Sequence, residues 1–264
     1  MSKKIATSTR TDERAFTRVD LLAVLVALCA LAAVVLPALA HSDDNGTRMV
    51  CLNNLRQMGM ASTMYAEDNL DYLAFCNWDG GTAPGPGWLY GPYAAHDPTV
   101  YPYNSHPGSA WTNGLWFKYV QNQKYYLCPV DLESKYYSQR ANKLSSYLMN
   151  GAVCGFQAVN AYVTCKTTDA WNPNCWLLWE PGDSMEGAFT FNDGASIPTP
   201  SPYGFEGPGA THTANGSEVL TVGGSVQFLT LQTLLSQGSG PVGQGAGPGG
   251  KTLAWWSPFA VTGN

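Results

Sequence analysis

The cysteines offer the widest choice of chemistry in this chain of 264 residues. Cys29 lies within an apolar run, and the other six follow it: Cys51, Cys76, Cys128, Cys154, Cys165 and Cys175. An even number of cysteines in an exported domain is typical of disulfides, although their connectivity does not follow from the sequence. Two pairs are candidates: Cys51–Cys128, which would tie a helix to a sheet, and Cys154–Cys165, which would close a short loop. For the first pair, the alternative is two buried thiols.

Other groupings that could support catalysis or metal binding do not stand out. Neither CxxC nor His-x-x-x-His spacing occurs, so we predict no metal site. No serine lies in a nucleophile-elbow signature, and nothing selects two carboxylates for glycoside hydrolysis. An oxygen-rich cluster lacks EF-hand spacing, and we interpret it as a solvated helix end; it comprises Glu67, Asp68, Asn69 and Asp71. We therefore predict no catalytic residue, no cofactor and no enzyme activity.

Charge is divided unevenly along the chain. Residues 1–15 carry four Lys+Arg against two Asp+Glu, a net charge of +2, whereas residues 41–264 carry 9 against 16, a net charge of −7. A basic start before an apolar run favours a cytoplasmic N-terminus and an exported body. The acidic body excludes a nucleic-acid partner, because it offers no positive surface to replace the counterions of phosphates.

The apolar run itself extends without a charge from Leu21 to Leu36, and adding Pro37 to Ala40 gives 20 residues. A membrane-spanning helix takes about 20 apolar residues. One interpretation is a secretory signal peptide cut after the triplet Ala38-Leu39-Ala40. The other is a retained helix, and the residues before the run favour it.

Those residues read Ala15-Phe16-Thr17-Arg18-Val19-Asp20-Leu21-Leu22. The segment resembles the cleavage and methylation signal of type IV pilins and type II secretion pseudopilins, although Ala15 stands where Gly is usual and Arg18 where an apolar residue is. The resemblance implies that prepilin peptidase cuts between Ala15 and Phe16 and that Phe16 becomes N-methylated. It also implies a single-pass helix over residues 16–40 in the bacterial inner membrane, with the body in the periplasm or in an extracellular fibre.

Asp20 stands at the acidic position of that signal. A carboxylate at the start of an apolar helix is costly unless it is neutralised, and the α-amine of Phe16, on the same chain or a neighbouring one, is a suitable partner. Asp20 is therefore predicted to act in assembly by setting the register of packed subunits. The alternative is a solvated, inert carboxylate among lipid headgroups.

The body that must position these residues is predicted to be α+β. Apolar residues recur at helical spacing from Thr47 to Glu67, after a polar stretch at 41–46 that could break the helix. Short β-like runs follow, and Gly223-Gly224 is typical of a hairpin turn; they are Tyr125–Leu127, Ser146–Met149, Trp176–Trp179, Glu218–Thr221 and Ser225–Phe228. The predicted fold is a long N-terminal transmembrane spine helix on a small antiparallel sheet with long loop insertions.

The expected divisions of the chain are a basic leader, a transmembrane helix, an amphipathic continuation of the spine, an exported pilin-like domain, and a Gly-rich loop with a docking tail. Their ranges are 1–15, 16–40, 41–69, 70–236 and 237–264. The body also resembles large pseudopilin-like proteins of planctomycete and verrucomicrobial type, through pieces in a fixed order. These include Cys51–Gln57, Tyr65–Asn69, Trp116–Val120, Tyr126–Asp131, Ser146–Gly151, the Glu218–Phe228 hairpin and Trp255-Trp256.

The resemblance implies a structural subunit of a type IV pilus or a type II secretion-like fibre. Its expected partners are prepilin peptidase, other pilin-like subunits and the membrane. The alternative is a membrane-anchored module that binds carbohydrate or protein through aromatic loops at residues 75–126. The interpretation we favour for these loops is that their rings pack over the sheet as a loop-covered core. A secreted enzyme or lectin remains only if the chain is cut after Ala40.

Overall fold

The computed structural model of the protein describes residues 18–78, 85–91, 101, 103–134, 137–139, 143–156, 162–181, 193–199, 207–209, 216–238 and 243–264. For Asp20 and residues 34–45 it describes the helical backbone alone. The chain divides into two compact units, Met1–Asp43 and Asp44–Asn264.

Helix α1 runs from Arg18 to Asp68 and is 51 residues long. Its backbone stays helical through residues 41–46, so the polar stretch there does not break the helix. The predicted end is confirmed, because Leu70 and Asp71 take φ values of 57° and 68°. These are left-handed conformations, in which a right-handed helix does not continue.

The predicted transmembrane spine is corrected by the structure. Within the described ranges, none of the helices combines the length and the hydropathy that crossing a membrane takes.

The sheet has five strands in the order β3-β1-β2-β4-β5. They are β1 Leu148–Asn150, β2 Trp176–Trp179, β3 Ala195–Ser196, β4 Gly216–Thr221 and β5 Val226–Thr230. Neighbouring strands are antiparallel except β3, which pairs with β1 in parallel through Met149 and Ala195. The sheet is therefore mixed, and the prediction of an antiparallel sheet is wrong at this edge. A strand of two residues is too short to leave an alternating pattern in the sequence.

The predicted hairpin is confirmed at the opposite edge. β4 and β5 pair in register from Gly216 with Thr230 to Leu220 with Val226. Gly224 takes a φ of 82°, and its N–H donates to the carbonyl of Thr221 at 2.9 Å. Glycine adopts this conformation without steric cost, which is why the turn falls there.

The remaining described helices are short. They are α2 Pro107–Asn113, α3 Phe117–Val120, α4 Pro129–Glu133 and α5 Leu231–Gly238, with 3₁₀ turns at Gln123–Tyr126, Tyr137–Gln139, Gly151–Cys154, Thr167–Asp169 and Pro248–Gly250. The strand predicted at Tyr125–Leu127 is thus wrong. The side chain of Asn122 accepts a hydrogen bond from the N–H of Lys124 at 3.0 Å, which caps a 3₁₀ turn at this point instead.

Aromatic rings from the long loops fill the core of the second unit. Trp88, Trp116 and Tyr126 are fully buried, and the Trp88 ring centroid lies 5.1 Å from that of Trp116 and 6.0 Å from that of Tyr126. The indole N–H of Trp88 donates to the carbonyl of Gly194 at 3.0 Å. These rings join the loops to the sheet, so their faces are not available to a ligand.

The C-terminal tail also enters this core. Trp256 is fully buried, and its indole N–H donates to the carbonyl of Trp176 on β2 at 2.8 Å. The side chain of Asn150 on β1 donates to the carbonyl of Ala254 at 2.8 Å. The tail thereby lies against β1 and β2.

Candidate functional site

The first candidate site is an apolar stretch of α1 in the first unit. Eight large apolar side chains there are between 46% and 72% exposed: Val19, Leu21, Leu22, Val24, Leu25, Val26, Leu28 and Leu31. Consecutive positions of a helix point in different directions, so these side chains cover most of the helix circumference, and alanines occupy the rest. A helix that is apolar all round is stable when other apolar surface covers it.

The residues predicted to be processed lie next to this stretch. Ala15 and Phe16 are outside the described residues, and α1 begins two positions after Phe16, at Arg18. Asp20 has a helical backbone near the start of α1, while its side chain is outside the description. Cleavage, methylation and the role of Asp20 therefore stay predictions.

The second candidate site is a buried cluster around two cysteines in the second unit. Cys51 on α1 and Cys128, the N-cap of α4, are both fully buried, and their Sγ atoms are 2.7 Å apart. A hydrogen bond with Cys128, followed by burial, raises the pKa of Cys51 far above its usual range. The fold thus brings Cys51 and Cys128 together, as the first predicted disulfide requires. A covalent bond between them stays a prediction.

Polar groups around the two sulfurs are buried as well. Glu180 is 1% exposed, and its carboxylate lies within 4.8 Å of both sulfurs. The side chain of Asn54 donates to the carbonyl of Leu127 at 2.9 Å and to the hydroxyl of Tyr147 at 3.2 Å. Burial, followed by the neighbouring Cys51 and Glu180, raises the pKa of Tyr147.

An ion pair lies one turn earlier on α1. Arg48 Nε is 2.7 Å from Glu218 Oε1 on β4, and the Glu218 side chain is 1% exposed. The guanidinium carbon of Arg48 lies 4.4 Å from the ring centroid of Phe228 on β5. Sequence reasoning missed this pair, although one signal was available: Glu218 is a charged residue on the same face of β4 as Leu220, within a strand that is buried along its whole length.

The second predicted disulfide is wrong. Cys154 is bonded to Cys76, and their Cα atoms are 6.4 Å apart. Cys165 is a buried thiol whose carbonyl accepts from the N–H of Leu73 at 2.8 Å. The segment from 73 to 76 therefore contacts both Cys154 and Cys165. The Cys165 contact is at Leu73, three residues before Cys76, and only Cys154 reaches the sulfur of Cys76. Proximity in the sequence, on which the prediction depended, did not decide this pairing.

In the acidic cluster at the end of α1, Asp68 accepts hydrogen bonds from two side chains of the protein. Asp68 accepts from the hydroxyl of Tyr119 at 2.8 Å and from the ammonium of Lys118 at 3.3 Å. These two hydrogen bonds, that of Tyr119 first, lower the pKa of Asp68. This arrangement matches the interpretation as a solvated helix end.

A shallow cleft of about 440 Å³ opens between α5 and the glycine-rich segment near the C-terminus. Trp171, Asn172, Gln237 and Gln244 line it. The indole N–H of Trp171 donates to the carbonyl of Thr252 at 3.2 Å, which fixes the ring at the edge of the cleft. An aromatic ring beside neutral amides is a surface that can contact an uncharged polar molecule.

Comparison with known families, curated proteins and solved structures found no match to this chain.

Proposed function

We propose that the protein is a structural, pilin-like subunit that assembles with like subunits through the N-terminal part of α1. In this proposal, prepilin peptidase cuts between Ala15 and Phe16, Phe16 is methylated, and the second unit is exported. The observation that supports it is the exposed apolar stretch of α1, which begins at Val19, three residues after Phe16.

The energetic argument begins with the eight exposed side chains. Burying one Val or Leu side chain is worth about 1.5–3 kcal/mol. Covering most of these side chains would offset the loss of translational and rotational freedom on association, which is about 4–15 kcal/mol. The same stretch of another subunit has the same apolar composition and is a suitable cover.

The small residues of this stretch support helix-on-helix contact. Ala23, Ala27 and Ala30 recur at spacings of four and three, so they lie along one side of α1, and all three are exposed. Helices that meet through small residues approach closely, at the lower end of the 8–10 Å range of axis separations. Such packing is expected in a fibre of subunits held together by this segment.

Cys29 provides a direct test of this packing. It is the one exposed cysteine of the seven, all of which the structure describes, and it lies within the apolar stretch. In assemblies isolated from the native host, a short bismaleimide is expected to join Cys29 of neighbouring subunits into covalent dimers. Covalent products are then resolved by denaturing electrophoresis and mass spectrometry.

Two controls make the result specific. Cys29→Ser should remove the cross-links, while Cys175→Ser, a change at a buried thiol, should leave them in place. If Cys29 takes up the reagent and the protein remains entirely monomeric, assembly through this stretch is contradicted.

A second candidate function, binding of a neutral saccharide, is favoured by the cleft beside Trp171. Replacing Trp171 with Ala is expected to weaken binding of an oligosaccharide by at least tenfold, since stacking and hydrophobic contact with the ring would be lost. Isothermal titration with a panel of soluble oligosaccharides measures this. Exposed Tyr101→Ala is the matched control. A panel without any binder would remove this candidate.

A further inference from the structure

Two sulfur atoms from distant parts of the chain meet inside the second unit. Cys51 and Cys128 are 77 positions apart in the sequence, yet both are fully buried and their Sγ atoms are 2.7 Å apart. We propose that they form a disulfide in the mature protein, which links α1 covalently to the start of α4. This bond rests on the export of the second unit, which is part of the proposed function, but not on assembly through α1, because both cysteines lie within the second unit.

The surroundings of both cysteines already hold them in place for this bond. Asn54, three positions after Cys51 on α1, donates to the carbonyl of Leu127, the residue before Cys128. The N–H of Cys128 donates to the hydroxyl of Ser146 at 2.9 Å. The sulfurs therefore have to move by less than about 1 Å to reach the S–S bond length of about 2.05 Å.

A metal ion is the main competing explanation for this cluster, because the carboxylate of Glu180 lies within 4.8 Å of both sulfurs. Zinc in a structural site takes four ligands, and its Zn–S distance of about 2.3 Å separates two sulfurs by roughly 3.8 Å. The cluster offers three ligand residues, and its sulfurs are closer than zinc would place them. The geometry thus favours a covalent bond between the sulfurs.

The oxidation requires an acceptor for two electrons. Each thiol loses one proton and one electron, and the electron pair passes to the disulfide of a protein thiol oxidase in the exported compartment, which becomes a dithiol. The exchange has to precede packing of α1, since both sulfurs are inaccessible afterwards. The raised pKa of Cys51 also opposes exchange in the folded state, because it keeps Cys51 as a thiol and exchange needs the thiolate.

Thiol mapping of the full-length chain, exported to an oxidising compartment and purified, tests the proposal. The protein is denatured with urea and no reductant, treated with a maleimide, digested and analysed by peptide mass spectrometry. We expect one linked peptide pair containing Cys51 and Cys128. Cys29, Cys165 and Cys175 should be labelled as internal controls, and Cys76–Cys154 should appear as a second linked pair.

Two variants sharpen the experiment. Cys51→Ser should make Cys128 reactive in urea without reductant, and should lower the melting temperature by roughly 10 °C because the closed loop is lost. Cys165→Ser should leave the Cys51–Cys128 link intact. Labelling of both Cys51 and Cys128 in urea without reductant would overturn the proposal, and so would labelling that appears only when a chelator is added, which would indicate a metal site.

Discussion

Replacing Arg48 with Met is expected to lower the free energy of unfolding of the second unit by about 3–5 kcal/mol. The change leaves the carboxylate of Glu218, which is 1% exposed, without its cationic partner. Its Oε2 atom has no hydrogen-bond partner among the described residues, so little else compensates the charge. Met retains much of the apolar stem of Arg, so the charge is the main difference between the two side chains. Denaturation by guanidinium chloride measures the effect.

The double variant Arg48→Met/Glu218→Met is the control for this prediction. Replacing both members of a buried ion pair with apolar residues is often nearly neutral, so most of the lost stability should return. Lys118→Met removes a cation from the exposed pair with Asp68 and should change stability by less than about 1 kcal/mol. A single Arg48→Met variant as stable as the original protein would mean that the ion pair does not fix α1 to the β4–β5 hairpin.

Replacing Asp20 with Val is expected to abolish entry of the subunit into assemblies. In the proposed function, the carboxylate of Asp20 neutralises the α-amine that cleavage creates on Phe16. An unpaired charge in an apolar environment costs about 2.5–3.5 kcal/mol on insertion scales, and the cost recurs at every subunit. Quantitative blotting of isolated fibres against total cell protein measures incorporation.

Two control variants separate the effect of losing the Asp20 charge from a general disruption of α1. Asp20→Glu keeps the carboxylate and should retain part of the incorporation. Asp68→Val makes the same substitution at the other end of α1, where the carboxylate is exposed and contacts Lys118 and Tyr119, and should assemble normally. If Asp20→Val enters fibres as well as the unchanged protein, the proposed role of Asp20 in assembly is contradicted.

Local sequence patterns predicted the elements that depend on local interactions. The β4–β5 hairpin followed from two short β-like runs around Gly223-Gly224. The end of α1 followed from the polar residues after Asp68. The 3₁₀ turn at Gln123–Tyr126 was missed because a single side-chain cap, from Asn122, outweighs the β propensity of Tyr125 and Tyr126.

Features set by tertiary contacts were harder to predict. The pairing of Cys154 with Cys76 depends on how the segment at 73–76 lies between two loops, which the spacing of cysteines does not reveal. From the sequence, the aromatic loops could form either a binding surface or a loop-covered core, and the structure places Trp88, Trp116 and Tyr126 in the core. Hydrophobic rings satisfy either role equally well, so composition alone did not distinguish them.

The candidate site was only partly accessible from the sequence for the same reason. Cys51 and Cys128 were predicted as one possible disulfide among several, and the structure places their Sγ atoms 2.7 Å apart. Nothing in the sequence indicated that Glu180 lies beside the two cysteines or that Arg48 pairs with Glu218. In both cases the partners are far apart in the chain. The apolar stretch of α1, by contrast, was evident from its composition.

The N-terminus of the mature protein, determined by mass spectrometry on material from the native host, tests the central claim most directly. Processing by prepilin peptidase predicts a chain that begins at Phe16 and carries an N-methyl group. A chain that begins at His41 would show that the apolar run is a cleaved signal peptide. A chain that still begins at Met1 would show that the leader is not processed, and either result would contradict a pilin-like subunit.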